Sequence, residues 1–557
     1  MKNIVSKLIF TTFFSLMLFS CQEDYLEVEH YNIVSPEALA EADPTKTMTQ
    51  LVNGLYDTFY GMESSGTKRD WHFKPHVQLG NMPAMDCQAG GWDANWSKFG
   101  WLADDGFFLG PWKHCYTAIN RVNVFLQMLE NVDVAEVDGG QDYLDLLEAE
   151  ARVIRAYNFF YLTINFGPVP MLETGETYSN TPDKPRPEST EAAWKKIIED
   201  FTFAEEIIDW APRNNEAGRI TKGMVKAYLA KSYMQNNQFE MAKLQLEDIV
   251  QEGIYELEPC FGAMNAVSYR YGKESVWEVA YPEHENMNWS GANDDDAYWW
   301  VNNNMEWGSL FISHEWVEDM EVGDYRKDYS VMTYGNGNPY FELPENHPTF
   351  TSGMYVNGEV NLANNRCLKY WQECNMITKE DPQMIHYRKS ALLMRYAEVL
   401  LNLAECKFQT GGNGWSEINQ IRNRAFANLE VGLNSFPNGY DAEAIIPSPR
   451  ETGMPVIVPD AQIFYTNYKN TKGYSSEVWK VALVQERRKE FVAEYTVWYD
   501  LTRMGMAEEF LDIEYPLNGR YSKRSAEYDE HFDIFPIPNE EILTNDGISP
   551  ADQNPGY

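Results

Sequence analysis

Tryptophan is concentrated in two stretches of this chain. Five of the 17 lie in 71–112 (Trp71, Trp92, Trp96, Trp101, Trp112) and six in 277–316 (Trp277, Trp289, Trp299, Trp300, Trp307, Trp316). Polar side chains stand beside them. Asp93 and Asn95 accompany Trp92 and Trp96; Asn288, Asn293 and the run 294–296 of aspartates accompany Trp289 and Trp299; Asn302, Asn303 and Asn304 follow Trp300. An indole stacks on the C–H face of a sugar ring and displaces poorly bonded water. Amides and carboxylates then read the hydroxyl rim. The pattern predicts a carbohydrate-binding surface contacted by Trp92, Asn95, Trp96, Trp289, Trp299, Trp300 and Trp307, with Trp96 and the Trp299-Trp300 pair foremost. Trp112, Trp194, Trp479 and Trp498 fall in helical stripes and are expected in the core.

Signatures of catalysis and of metal binding are missing from the sequence. There is no GxSxG, no GxxxxGK[ST], no GxGxxG and no HExxH. A glycoside hydrolase needs two carboxylates ~5–10 Å apart, and with 84 acidic residues some pair meets that by accident. His72 and His76 have the i, i+4 spacing of a metal pair, but Pro75 between them argues against a helix there. The 294–296 aspartates lack the spacing and glycine of a calcium loop and read as solvated. Cys87, Cys115, Cys260, Cys367, Cys374 and Cys406 contain no CxxC and no zinc spacing, and they leave any disulfide pairing open. Cys115 and Cys406 sit in helical patterns and read as small buried hydrophobes. No catalytic residue, metal or cofactor is expected.

Charge narrows the partners. The 557 residues carry 45 Lys+Arg against 84 Asp+Glu, a net charge of −39. Such a field repels nucleic acid, anionic lipid and acidic substrates. A neutral glycan tolerates it.

The elements that must position the tryptophans are helices in pairs. Residues 221–236 carry Met224, Ala227, Tyr228 and Tyr233-Met234 at three-four spacing, and 239–252 form a second amphipathic helix ended by Gly253. The pair resembles a tetratricopeptide (TPR) unit. Further pairs are 396–412 with 415–426, 111–131 with 143–166, and 189–210 beside 221–236. Between them, 61–110, 253–390 and 432–475 have the Gly, Asn, Asp, Pro and aromatic content of long loops, which on a rigid scaffold commonly carry binding. A short strand is expected at 275–280. The reading is a mainly α, TPR-like scaffold (111–252 and 390–426) with long irregular insertions, a few short strands, and a C-terminal helix and tail over 476–557. In and just before the segment 486–505, the apolar Val481, Val484, Phe491, Tyr495 and Trp498 are expected on one helical stripe. Its charges Glu486, Arg487, Arg488, Glu490 and Glu494 read as an ion-pair network that fixes packing. Arg152 and Arg155 are expected to hold loops or helix ends.

Residues 1–20 have the form of an export signal. Lys2 and Lys7 precede a twelve-residue apolar run, Leu8 to Phe19, too short to span a bilayer. Leu18-Phe19-Ser20-Cys21 resembles the lipobox of bacterial lipoproteins, with Cys21 as the acylated residue, and the acidic 22–27 segment resembles the leader of surface-displayed members. Signal removal leaves a net charge of −39 − 2 = −41.

Four further segments, EARVIRAYNFFYLTINFGPVPM (150–171), RYAEVLLNLAE with INQIRNRA (395–405, 418–425), ERRKEFVAEYTVWYDLTRMG (486–505), and FPIPNEEILTND with QNPGY (535–546, 553–557), resemble the SusD/RagB family in this order. Tyr495-Thr496 stands where Gly-His is more usual, and Met504 where Trp is frequent. The resemblance implies one SusD-like domain over 21–557, a surface-exposed lipoprotein of the cell outer membrane, and non-catalytic capture of a glycan for delivery to a SusC-like TonB-dependent transporter. A peptide or other nutrient receptor of the same architecture, a surface glycoside hydrolase on a helical scaffold, and a TPR adaptor binding only protein are the alternatives.

Overall fold

The computed structural model describes residues 43–59, 73–88, 96, 99–177, 179–265, 269–279, 311–332, 355–356, 359–360, 365–367, 390–427, 458–511 and 528–557. The first half holds α1 (Pro44–Leu55), α2 (Phe73–Gly80), β1 (Cys87–Gln88), α3 (Gly106–Leu129), α4 (Gly140–Phe166), α5 (Glu191–Ile207), α6 (Lys222–Gln235) and α7 (Phe239–Glu252). Mostly short elements follow: β2 (Ser275–Val279), β3 (Phe311–Ile312), α8 (His314–Asp319), α9 (Arg326–Ser330), β4 (Val331–Met332), β5 (Tyr355–Val356), β6 (Glu359–Val360), β7 (Asn365–Cys367) and β8 (Ala391–Arg395). The chain closes with α10 (Tyr396–Gln409), α11 (Trp415–Ala427), α12 (Ala461–Lys472), α13 (Val478–Phe491), α14 (Val497–Arg503), α15 (Ala507–Leu511) and α16 (Asn539–Thr544).

The fold is mainly α, as expected. Helices α3 to α7 stack each on the next, and α7 packs on α10, which packs on α11 and α13. The α6–α7 pair shows how sequence sets this geometry. The Thr221 side chain caps α6 by accepting from Met224 N–H at 3.4 Å. Asn237, in the left-handed region (φ 57°), turns the chain into α7. Gly223 cannot be larger: a Cβ there would lie 2.1 Å from the Tyr255 hydroxyl. Helix α4 is buried on nearly every side between Ala149 and Phe166, which places it at the centre of the scaffold.

Three expectations about helices are corrected. Pro75 lies inside α2, because it falls in the first turn, where its missing N–H has no carbonyl to bond. The stripe from Val481 to Trp498 is broken, since α13 stops at Phe491 and Ala493 adopts a left-handed φ of 63°. The Asn81 side chain takes the Phe491 carbonyl at 2.8 Å and closes the helix end. Helix α12 also occupies the end of the 432–475 stretch read as loop; its Asp460 cap accepts from Ile463 N–H at 3.1 Å. The strand expected at 275–280 is β2, paired antiparallel with β8.

The C-terminal tail is sewn to the end of α4. Phe535 N–H donates to Asn165 O at 2.7 Å, and Asn554 Nδ2 donates to Phe166 O at 3.0 Å and Phe535 O at 2.6 Å. The Trp101 indole reaches the Tyr557 hydroxyl at 2.9 Å. Two sequence segments almost 400 residues apart thus form one structural unit.

Candidate ligand-binding face

Helix α13 is the hub from which the ends of the long insertions are held. Glu486 accepts from Arg326 at 2.8 Å and from Arg422 at 2.8 Å. Glu490 accepts from Arg395 at 2.8 Å and also pairs with Arg424 and Arg326. Arg395 and Arg424 share Glu274, at 2.7 and 3.0 Å. Arg488 pairs with Asp86 at 2.7 Å and Asp319 at 3.0 Å. The partners of α13, together with Glu274, sit just before β1, before β2, between β3 and β4, at the end of β8 and on α11. All are buried or nearly so, and a lone charge there would be costly; alternating signs and several hydrogen bonds per guanidinium offset that cost. Burial raises the Glu486 and Glu490 pKa values, but the surrounding arginines outweigh it and hold both carboxyls well below the usual range. The Asp319 carboxyl is likewise held low against its burial, chiefly by Arg488 and Lys472.

The expected ion-pair role of the 486–494 charges is what the structure shows. The fold-wide partners, Arg326, Arg395, Arg422 and Arg424, escaped sequence reasoning. The signal was present in Arg395, an arginine inside the apolar run ALLMRYAEVLL. Arg155 also behaves as expected: it donates to Asp200 through two nitrogens, each at 2.8 Å, and to Asn123 and Thr174 at 2.8 Å, clamping α3, α4, α5 and the 174 turn.

Four short strands gather the insertions into one sheet of order β1-β3-β7-β4, every neighbour antiparallel. Cys87 pairs with Ile312 and Gln88 with Phe311. The last residue of β1 therefore lies beside the first residue of β3. Phe311 also pairs with Arg366 of β7.

Trp96 is corrected. It is 2% exposed and packs against Trp101 at 5.8 Å, Phe108 at 5.4 Å and Phe535 at 6.3 Å between ring centroids, so no sugar can reach its face. The cause is the C-terminal tail, which lays Phe535 on this cluster, a contact that local composition does not reveal. Trp101, Trp112, Trp277 and Trp316 are buried too, so each described member of the two tryptophan clusters belongs to the core. Trp194 and Trp498 are buried as expected, and Trp479 is partly buried against the core. Trp92, Asn95, Trp289, Trp299, Trp300, Trp307, Cys21 and the 294–296 aspartates lie outside the described residues.

A small pocket lined by His76, Tyr157, Tyr161, Tyr228, Tyr495 and Tyr499 has about 40 Å³ of space. That is room for a water or two at ~30 Å³ each and excludes a sugar. The Tyr161 hydroxyl is buried there with no hydrogen-bond partner among the described residues. Burial drives the His76 pKa down to about 3, helped by His114 and Lys231, so the ring is neutral. Cys115 and Cys406 are buried within helices, as expected, and burial pushes both thiols far up.

The SusD family model matches residues 273–557, just over half of the chain. The chain belongs to the SusD family. A second model, described as starch-binding associating with outer membrane, matches residues 24–234. Among SusD-family relatives, the SusD-like protein P2 of Formosa agariphila is 22% identical, the match covering 97% of this chain and 98% of that protein. Surface glycan-binding protein A from Bacteroides fluxus superposes with a TM-score of 0.66 at 20% identity, over 92% of this chain and 99% of that one. Surface glycan-binding protein A from Bacteroides thetaiotaomicron in complex with laminarihexaose gives 0.63 at 16% identity, over 91% and 99%. At these identities the superpositions show a shared SusD-type fold. No enzyme family is among these matches.

Proposed function

We propose that this SusD-family chain captures a neutral oligosaccharide without cleaving it, on a face built from the insertions, with Trp92, Asn95, Trp289, Trp299, Trp300 and Trp307 as contacts. Trp96 takes no part. The observation that carries the reading is the β1–β3 register. Trp92 lies four residues after Gln88 and Trp307 four residues before Phe311, and Gln88 faces Phe311. At ~3.3–3.6 Å per residue, four residues of backbone span at most about 14 Å from the same sheet end in each case. Trp92 and Trp307, some two hundred residues apart in sequence, are thus tethered to one sheet end, which supports a shared face. Solved relatives bear the name surface glycan-binding protein A, one with laminarihexaose bound, which supports the ligand class.

Cys21 is the lipid attachment in this reading, the location is the outer face of the outer membrane, and the glycan passes to a SusC-like TonB-dependent transporter. The test is a titration of the full-length chain with a panel of neutral glycans that includes laminarihexaose, followed by tryptophan fluorescence. Trp299→Ala with Trp300→Ala should weaken the best ligand at least tenfold. Unchanged affinity in that double variant overturns the site, and released reducing ends overturn the non-catalytic part. Cys21→Ala should move the protein from membrane to soluble fractions.

A further inference from the structure

A cleft opens where the end of α1 and the 216–219 turn meet Tyr271 and β2. Its lining includes Asn53, Tyr56, Glu216, Arg219, Tyr271 and Glu278. It offers about 200 Å³ of open space. At ~30 Å³ per water this is on the order of six waters, close to the displacement of one pyranose with its hydroxyls.

The walls are set before any ligand arrives. Asn53 Oδ1 accepts from Arg219 at 2.9 Å and from Arg213 at 3.2 Å. Arg219 also donates to Glu216 and lies over the Tyr56 ring at 5.4 Å. Ile220 N–H donates to the Tyr56 hydroxyl at 3.3 Å, and Tyr271 N–H to Glu278 at 2.7 Å. Charge balances locally: Glu150 and Glu216 are met by Arg213 and Arg219. Burial pushes the Glu278 carboxyl up, towards its neutral form. A neutral ligand fits this field better than an anion or a cation.

The backbone around the cleft turns through the left-handed region. Asn214, Asn215 and Gly218 have φ of 57°, 55° and 89°, and Tyr271 has 55°. A tyrosine in the left-handed region is uncommon and costs energy. Here that conformation leaves the ring 39% exposed at the cleft, its hydroxyl closing over Gly218, where a Cβ would come within 2.7 Å of it. Aromatic surface from Tyr56 and Tyr271, with carboxyl and amide acceptors around it, matches the apolar face and hydroxyl rim of a sugar.

We propose that this cleft binds a single neutral sugar unit, a free monosaccharide or a chain end, independently of the loop face. The full-length chain is titrated with the methyl glycosides of glucose, galactose, mannose, xylose and N-acetylglucosamine by saturation-transfer NMR. At least one should bind saturably in the millimolar range. Tyr271→Asn removes the ring while keeping a residue tolerant of left-handed φ, and Ala217→Trp fills the cleft from an exposed turn position. Each should weaken that glycoside at least tenfold while leaving oligosaccharide capture and the melting temperature unchanged. Absence of saturable binding by all five glycosides, or wild-type affinity in either variant, overturns the proposal. Because the Trp299→Ala and Trp300→Ala test reads the other face, either reading can fail while the other stands.

Discussion

Arg395→Met strikes the ion-pair hub at its most connected cation. The side chain is 2% exposed and donates to Glu274 at 2.7 Å, to Glu490 at 2.8 Å, to Glu494 at 2.9 and 3.0 Å, and to the Glu490 carbonyl at 3.0 Å. The three carboxylates are not stranded equally. Glu274 keeps Arg424, and Glu490 keeps Arg424 and Arg326. Glu494 loses both of its bonds from Arg395, at 2.9 and 3.0 Å, and its side chain is 14% exposed, so water offsets part of the loss. Removing one partner of a buried pair costs roughly 3–5 kcal/mol, and here the lower end, ~3 kcal/mol, is expected. An unfolding entropy of ~2.1 cal/mol/K per residue gives ~1.2 kcal/mol/K for this chain, so the melting temperature should fall by about 2–3 °C. Scanning calorimetry reads this directly. Adding Glu494→Gln removes the carboxylate charge that Arg395 had met at two oxygens and should recover about half of the loss, a coupling that a double-mutant cycle isolates. A fall below ~1 °C, or a double variant no more stable than Arg395→Met, would refute the view that paired charge holds β8 to α13.

Three other outcomes are expected. His76 and His114 are neutral in the fold because burial lowers their pKa values to about 3 and about 4, whereas the unfolded chain protonates them below ~6.5. Stability present above that pH drains as pH falls, by ~2 kcal/mol per histidine at pH 5, and His76→Phe should remove about half of the slope between pH 7 and 5 in melting curves. Trp96→Ala should destabilise by ~3–5 kcal/mol while glycan affinity of the folded protein stays at the wild-type value, which calorimetry paired with titration separates. At Gly414 an added Cβ would lie 2.3 Å from the Ala404 carbonyl oxygen, so Gly414→Ala should force α10 and α11 apart and cost ~1–3 kcal/mol in urea unfolding.

The paired helices were legible in the sequence because their cause is local. Three-four apolar spacing in 222–235 and 239–252, the Thr221 cap and the Gly253 terminus lie within one stretch of chain. The strand at β2 and the ion-pair character of 486–494 were legible for the same reason. Tertiary structure alone decided the fate of Trp96, which shares its composition with a sugar-binding residue but is covered by Phe535 from the far end of the chain. It also decided that α13 stops at Phe491, where Asn81 takes the last carbonyl, and that Gln88 sits beside Phe311. Burial and strand register depend on contacts between residues hundreds of positions apart, and no local pattern encodes which distant segment will arrive. Periodicity and composition thus set this protein's scaffold and its stock of aromatic and polar groups, while long-range packing determined which of those groups were consumed by the core.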